Sequence, residues 1–336
     1  MNKKTGVLLI NLGTPDSPSV ADVRSYLSQF LNDPRVIDIP WFWRKILVNL
    51  IIVPFRAPKS AKIYQKLWTE NGSPLLYYSK QVTGLLQTEL GSQYEVHLAM
   101  RYKNPSIPDV MEIMRKKNFS RLIVLPLFPQ YASASTGSAI DEVMRVMRQW
   151  WVIPEVKFIS QYYDHPTFIK AIVERGRSYD IGNFDHVLFS YHGLPDRQVD
   201  KVYDEGLCAE HHCEEEITED NKYCYKATCY ATTRLIAADL GIPAHQYTVC
   251  FQSRLDKKWL TPFSDKVVED CARKGMKKIL VFSPAFTADC LETIIEIGEE
   301  YQDIFRAHGG QKVQLVESLN GHPVWIQCLK QLVSGS

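Results

Sequence analysis

The chain has 336 residues, enough for roughly two domains of about 150 residues each. Apolar residues make up 45% and charged residues 23%, ordinary values for a globular protein that exclude the disordered and fibrous classes. The 39 basic and 38 acidic residues leave a net charge of +1, so the basic excess of a general nucleic-acid binder is missing and no nucleic-acid partner is expected.

The first residues hold two lysines and a short apolar run that Asn11 ends, too brief for a signal-peptide core. No stretch approaches the roughly 20 apolar residues that span a bilayer, so a cytoplasmic location is expected. Gly6 to Leu12 is nearly all apolar, the pattern of a strand buried on both faces, and Gly13-Thr14-Pro15 breaks it. Trp41 to Phe55 carries eleven apolar residues in fifteen, with Arg44 and Lys45 as its charges. It reads either as a buried helix or as an exposed apolar lip for a greasy ligand or a membrane surface. Strand patterns at 94–100, 122–127 and 156–159 alternate with helical ones at 74–90 and 106–117. This alternation predicts an α/β fold with a mainly parallel sheet. Ser133 to Gly137 is a small hydroxyl-rich loop suited to an anion at a helix start. It lacks the P-loop lysine and the GxGxxG spacing, so no nucleotide cofactor is expected. A GxSxG hydrolase elbow is also missing.

The pattern then starts again. Val187 to Pro195 aligns with Val7 to Pro15 at an offset of 180, with valine, leucine, glycine and proline recurring in place. Strand patterns follow at 247–251, 278–282 and 313–316, and Pro126-Leu127-Phe128 has its counterpart in Pro284-Ala285-Phe286. Two similar α/β halves facing each other across a cleft are expected. Ligands of open α/β sheets bind outside the carboxyl ends of the strands. The chain divides into 1–160, which includes the lip at 41–55; 161–318, with an insertion at about 202–229; and a C-terminal helix at 319–336.

Three groups at such positions could carry chemistry. His192 ends a strand, and its side chain titrates nearest neutrality, which suits proton transfer or metal ligation; the bland alternative is a loop histidine satisfied by backbone. Asp289, Glu292, Glu296 and Glu299 are spaced 3, 4 and 3 apart and would share one face of an α-helix, either as a solvated stripe or as a path for protons or a cation. Cys208, Cys213, Cys224 and Cys229 follow a C-x4-C-x10-C-x4-C pattern. In a reducing compartment four clustered thiols point to a [2Fe-2S] cluster, with zinc as the alternative. The stretch from Val202 to Asn221 has eight acidic residues and no basic one, the composition of a solvated loop around such a centre. Cys250, Cys271, Cys290 and Cys328 are scattered and read as buried thiols.

Together these segments resemble the ferrochelatases, enzymes that insert ferrous iron into a porphyrin. The resemblance covers nearly the whole chain. It is carried by Asn11-Leu12-Gly13-Thr14-Pro15, Met100-Arg101-Tyr102, Phe128-Pro129-Gln130-Tyr131 through Gly137, Ser190-Tyr191-His192-Gly193-Leu194-Pro195, Phe251-Gln252-Ser253, Trp259-Leu260 and Ala285 through Thr293. It implies two Rossmann-like, chelatase-type domains, with His192 and Glu292 as the active-site pair that binds Fe2+ or takes pyrrole protons. Glu296 and Asp289 would extend an acidic path. Leu12, Arg101, Tyr102, Tyr131, Trp259 and Phe286 match positions lining the porphyrin pocket, and 41–55 matches a lip that covers the macrocycle and can touch membrane.

The chain departs from the family pattern at Cys290, where histidine is frequent. The C-terminal cysteine arrangement of animal members is not expected either, because Ser133 stands at its internal position. The cysteines at 208–229 correspond instead to an internal segment that holds a cluster in some bacterial members. Asn11 through Pro15 is similar to the protoporphyrin-using branch, so protoporphyrin IX and ferrous iron are the implied substrates of a step in haem biosynthesis. A coproporphyrin-type or other tetrapyrrole chelatase is one alternative. A non-catalytic haem or porphyrin carrier or sensor is another. The implied enzyme is a monomer or homodimer in the cytoplasm, with peripheral contact at the inner face of the cytoplasmic membrane.

Overall fold

The computed structural model describes residues 4–335 and groups them into two compact units. The first comprises Met1–Phe128, Ala132–Gln161 and Ile326–Ser336; the second comprises Pro129–Tyr131 and Tyr162–Trp325. The helix expected at 319–336 runs from Pro323 to Ser334, and its residues from Ile326 onward group with the first unit.

In the first unit, strand β1 (Thr5–Gly13) leads to helix α1 (Val20–Leu31), then α2 (Trp41–Ile46) and α3 (Val53–Leu67), which are joined by a π-helical turn at Leu47–Ile52. Next come α4 (Pro74–Leu90), β2 (Tyr94–Tyr102), α5 (Ile107–Lys117), β3 (Arg121–Pro126), a π-turn at Ser133–Gly137 that runs into α6 (Ser138–Met147), and β4 (Glu155–Phe158). The strands form one parallel sheet in the order β2-β1-β3-β4. Local chemistry sets the helix starts. Ser19 caps α1 by accepting from Asp22 N, and Ser106 caps α5 by accepting from Asp109 N, each satisfying an amide with no partner inside its helix. β1 is buried over Gly6 to Asn11 because helices cover both of its faces. On one face Leu8, Ile10, Val110, Met111, Leu122 and Val143 form a continuous core.

The second unit repeats the plan. Helix α7 (Pro166–Arg177) precedes β5 (His186–His192), short α8 (Asp196–Asp200), α9 (Tyr225–Leu240), β6 (Tyr247–Gln252), α10 (Ser264–Arg273) and β7 (Lys278–Phe282). A π-helix at Glu292–Tyr301 continues as α11 (Gln302–Ala307), followed by β8 (Lys312–Leu315) and α12 (Pro323–Ser334). Its parallel sheet has the order β6-β5-β7-β8, the same as in the first unit. The likeness extends to the loops. Met100 N donates to Pro105 O at the end of β2, and Phe251 N donates to Pro262 O at the end of β6. The two parallel sheets match the expected α/β class, and every sequence-read strand lies within one or two residues of the observed one.

β1 and β2 approach so closely at their carboxyl ends that one position admits only glycine. Gly13 has φ +119°, and a Cβ there would lie 2.0 Å from the carbonyl oxygen of Tyr102. Gly13→Ala should therefore destabilise the first unit by about 3 kcal/mol, read as a lower denaturant midpoint; an unchanged midpoint would contradict this packing.

Candidate active site

β5 ends in His192, held from two sides. Its register partner on β6 is Gln252, and the turn Gly193-Leu194-Pro195 is fixed against the Trp259 segment by a bridge between Pro195 and Trp259 and by a bond from Leu260 N to Leu194 O. Gly193 permits that closeness: a Cβ there would meet Gln252 O at 2.8 Å and the Trp259 ring at 3.3 Å. His192 Nδ1 lies 2.6 Å from Gly193 O. A carbonyl oxygen only accepts, so Nδ1 carries the hydrogen and the neutral ring keeps its lone pair on Nε2. Nε2 has no hydrogen-bond partner among the described residues. The Phe286 ring stands 6.4 Å from the imidazole, tilted by 54°.

Gln252 ties this strand end to the acidic helix. Its Oε1 accepts from Ser190 Oγ at 2.7 Å, which fixes the amide's orientation. Its Nε2 then donates to Glu292 O and to Glu296 Oε2, both at 3.1 Å. Glu296 accepts three more hydrogen bonds: from Ser253 N at 2.9 Å, Ser253 Oγ at 2.5 Å and Tyr301 Oη at 3.2 Å. Burial, and then the charge of Glu296, push the Tyr301 phenol well above its ordinary range, so it stays a donor. Burial, reinforced by the neighbouring Glu292 carboxylate, likewise pushes the Cys290 thiol up and keeps it protonated.

The expected single stripe of four acids does not form. Glu292–Tyr301 is π-helical, and a π turn holds more residues than an α turn, so a 3-4-3 spacing slides off a common line. Asp289 precedes the helix and is buried. It accepts from Asn320 Nδ2 at 2.7 Å, Thr293 Oγ1 at 3.1 Å and Ser318 N at 3.3 Å. Glu292 and Glu296 are half-buried, and Glu299 is exposed.

In the first unit, Leu12 is half-buried at the end of β1, in the register position opposite Arg101. Arg101 pairs with Asp33 at 2.6 Å. Tyr102, expected to line the pocket, is instead fully buried, with its hydroxyl donating to Asp33 at 2.9 Å; it supports its neighbours from inside the unit. At 41–55 large apolar side chains are exposed and the segment is not a buried helix. Trp41, Phe42, Trp43, Leu50, Ile51 and Phe55 are all more than half exposed, while Arg44 turns inward and donates to Ile39 O.

The cysteine segment also differs from expectation, since three of the four thiols meet. Cys208, Cys213 and Cys224 are buried with their sulfurs 3.6–3.7 Å apart. Cys229, in α9, lies outside this group, and its buried thiol is engaged with Tyr225. Hydrogen bonds from Cys208, then from Cys213, favour the Cys224 thiolate, and the Tyr203 hydroxyl reaches Cys213 Sγ at 2.9 Å. Buried Asn221 organises the loop by donating to Glu216 O and His211 O and accepting from Thr218 N. Tyr223 from this segment packs edge-on against Tyr131, at 6.2 Å. The sequence reading missed Asp33, Asn320, Tyr301 and Tyr203. Each lies outside any motif, and each bonds a residue to which it is not adjacent in sequence.

The family model for ferrochelatase matches residues 4–336. A ferrochelatase of Legionella pneumophila (strain Lens) is 44% identical over 332 residues, covering 98% of this chain and 99% of the relative. One from Coxiella burnetii (strain Dugway 5J108-111) is 43% identical over 339 residues, covering 100% and 94%. Among solved structures, SirB from Bacillus subtilis with Fe3+ superposes with a TM-score of 0.53 at 12% identity, covering 98% of this chain and 94% of that one. The sirohydrochlorin chelatase SirB from Bacillus subtilis subspecies spizizenii in complex with cobalt gives 0.54 at 11% identity, covering 97% and 92%. At that identity the structural likeness speaks for the fold alone, whereas the family match and the full-length relatives, at more than 40% identity, establish that the chain belongs to the ferrochelatase family.

Proposed function

We propose that the chain inserts Fe2+ into protoporphyrin IX and releases the two pyrrole protons, forming protohaem in the cytoplasm. The observation that carries this reading is the Gln252 amide, which joins the strand end bearing His192 to the helix bearing Glu292 and Glu296. Insertion needs a base for the pyrrole protons and hard donors that hold a divalent ion without trapping it. His192 offers the Nε2 lone pair for the first task, because its Nδ1–H is committed to Gly193 O. Glu292 and the carboxylates behind it supply oxygen donors, and nitrogen and oxygen ligands suit ferrous iron. Bending the planar macrocycle exposes its nitrogen lone pairs, so rigid walls such as Trp259 and Phe286 serve to distort the ring. The apolar end of β1 at Leu12 supports protoporphyrin, the less carboxylated substrate.

The cysteine segment is proposed to hold a [2Fe-2S] cluster with Cys208, Cys213 and Cys224 among its ligands; Cys229, which lies outside the trio and is engaged with Tyr225, would have to leave that contact to be the fourth. Thiolates bound at ~2.3 Å around one tetrahedral ion stand about 3.8 Å apart, close to the separation of the three sulfurs here, so their spacing favours zinc as the second reading; a [2Fe-2S] cluster, with two thiolates on each iron, would need one of the three sulfurs to move away. When bound, such a centre cross-links the ends of the segment; iron insertion itself needs no redox step. The exposed apolar lip is proposed to rest on a membrane surface when it does not cover porphyrin. No helix among the described residues is long and apolar enough to cross a membrane, so this contact would be peripheral.

Anaerobic assays with Fe2+ and either protoporphyrin IX or coproporphyrin III should show faster turnover with the former. His192→Ala should lower kcat by roughly 10²–10⁴-fold while leaving porphyrin binding nearly unchanged. Unaltered turnover in that variant would remove His192 from the mechanism, and binding without turnover by the wild type would point to a carrier. Wild type purified without oxygen should contain iron and acid-labile sulfide and show visible absorbance that Cys213→Ser loses. Zinc without sulfide would refute the cluster. Trp43→Ser combined with Phe55→Ser should weaken flotation with anionic vesicles by about tenfold or more; equal flotation of variant and wild type would rule out the lip as the membrane contact.

A further inference from the structure

The ends of β2 and β6 are built alike. Arg101 stands opposite Leu12 as Gln252 stands opposite His192, and each reaches the helix that follows the third strand of its own sheet. In the second unit the neutral Gln252 holds an acid, Glu296. In the first the charge is inverted: Arg101 Nε donates to Ser138 Oγ at 2.6 Å and to Ser138 O at 3.1 Å, and Nη2 donates to Asp33 Oδ2 at 2.6 Å.

Asp33 is nearly inaccessible, with a side-chain exposure of 3% against 14% for Arg101. Its Oδ2 also accepts from Tyr102 Oη at 2.9 Å and Ser138 Oγ at 2.6 Å, and its Oδ1 accepts from Arg35 N at 2.7 Å. The carboxylate is held from the end of α1 through bonds from Val36 N and Ile37 N to Asp33 O. Two of the three guanidinium nitrogens are thus fixed, and Nη1 has no partner among the described residues.

We infer that Asp33 is a positioning residue for porphyrin binding by the first unit: it fixes and neutralises Arg101 so that the free Nη1 edge meets the porphyrin in one orientation. This rests on the proposed porphyrin-binding reading and adds a residue that the sequence motifs do not contain. An arginine this enclosed needs a partner for its charge, and a partner that accepts from three side chains at one oxygen leaves it a single geometry. Lysine at position 101 would lose the fork that contacts Ser138 and Asp33 together.

A double-mutant cycle tests the inference, because a residue that acts through another loses its effect once the other is gone. Porphyrin Kd, followed by fluorescence quenching, and the KM and kcat of insertion are measured for wild type, Asp33→Asn, Arg101→Gln and the double variant. Asp33→Asn should raise the porphyrin Kd and KM about tenfold and leave the KM for Fe2+ within twofold, and the double variant should bind porphyrin no more weakly than Arg101→Gln alone. An equal loss from Asp33→Asn in the Arg101→Gln background would show that Asp33 only supports the fold and would overturn the inference. Should Asp33→Asn melt at assay temperature, Ser138→Ala, which keeps the ion pair, should raise Kd about threefold in the wild-type background and not in Arg101→Gln. Binding without turnover by the wild type would fail the chelatase reading, while the Kd cycle would still decide for or against Asp33. A crystal structure of Asp33→Asn with Arg101 still on both Ser138 and residue 33 would overturn it without reference to porphyrin.

Discussion

The second unit depends on the orientation of one amide. Gln252 can aim its NH2 group at the acidic helix only because Ser190 donates to its carbonyl oxygen; with the amide reversed, two acceptors on the helix would face a third. That choice sets where Glu296 and the backbone of Glu292 sit relative to the strand end. Ser190 in turn contacts Ser264 at the start of α10, so strands β5 and β6 and two helices converge on a short chain of hydroxyls and amides buried from water. Such buried networks are rigid when every member is satisfied.

The two units show how one plan supports opposite chemistries. Both use a 2-1-3-4 type of parallel sheet, a π turn after the third strand, and a residue at the end of the second strand that reaches across to that turn or the helix it opens. In the second unit the β5 end carries an imidazole and the helix carries carboxylates, the groups to which the proposed function gives the protons and the metal ion. In the first unit the β1 end is Leu12 and the reaching residue is a cation balanced from below by Asp33. The shared architecture supplies positions, and the side chains placed there decide what is handled.

Much of this was legible before any coordinates. Apolar runs of strand length and the recurrence of Val7–Pro15 at Val187–Pro195 are local signals, and they located the strands and the duplication. The strand-end rule then pointed to His192 and the acids from Asp289 onward, and the family resemblance pointed to Arg101. The rest was hidden for specific reasons. Charge spacing assumes an α-helical period, so the π turn that separates Glu299 from Glu292 was invisible. Spacing alone also could not tell that Cys229 lies in the helix that Cys224 caps, apart from the other thiols. Asp33 and Asn320 act on Arg101 and Asp289 from 68 and 31 residues away, a distance at which single-sequence patterns carry no information. Tyr102 shares a motif with Arg101 and meets the same Asp33 oxygen, yet its side chain is fully buried beneath the guanidinium, which spacing in the sequence does not reveal.

Glu296 accepts four hydrogen bonds, from Gln252, Ser253 twice and Tyr301. An oxygen already surrounded by donors binds a cation weakly, because each new metal–oxygen bond displaces one of them. Such a carboxylate forms a shallow well rather than a deep one, and a divalent ion beside it has a short residence time. The same saturation blunts discrimination by affinity: tighter-binding metals of the first transition row gain little extra hold there, so selection among ions falls to the supply of metal and to the rate of the insertion step.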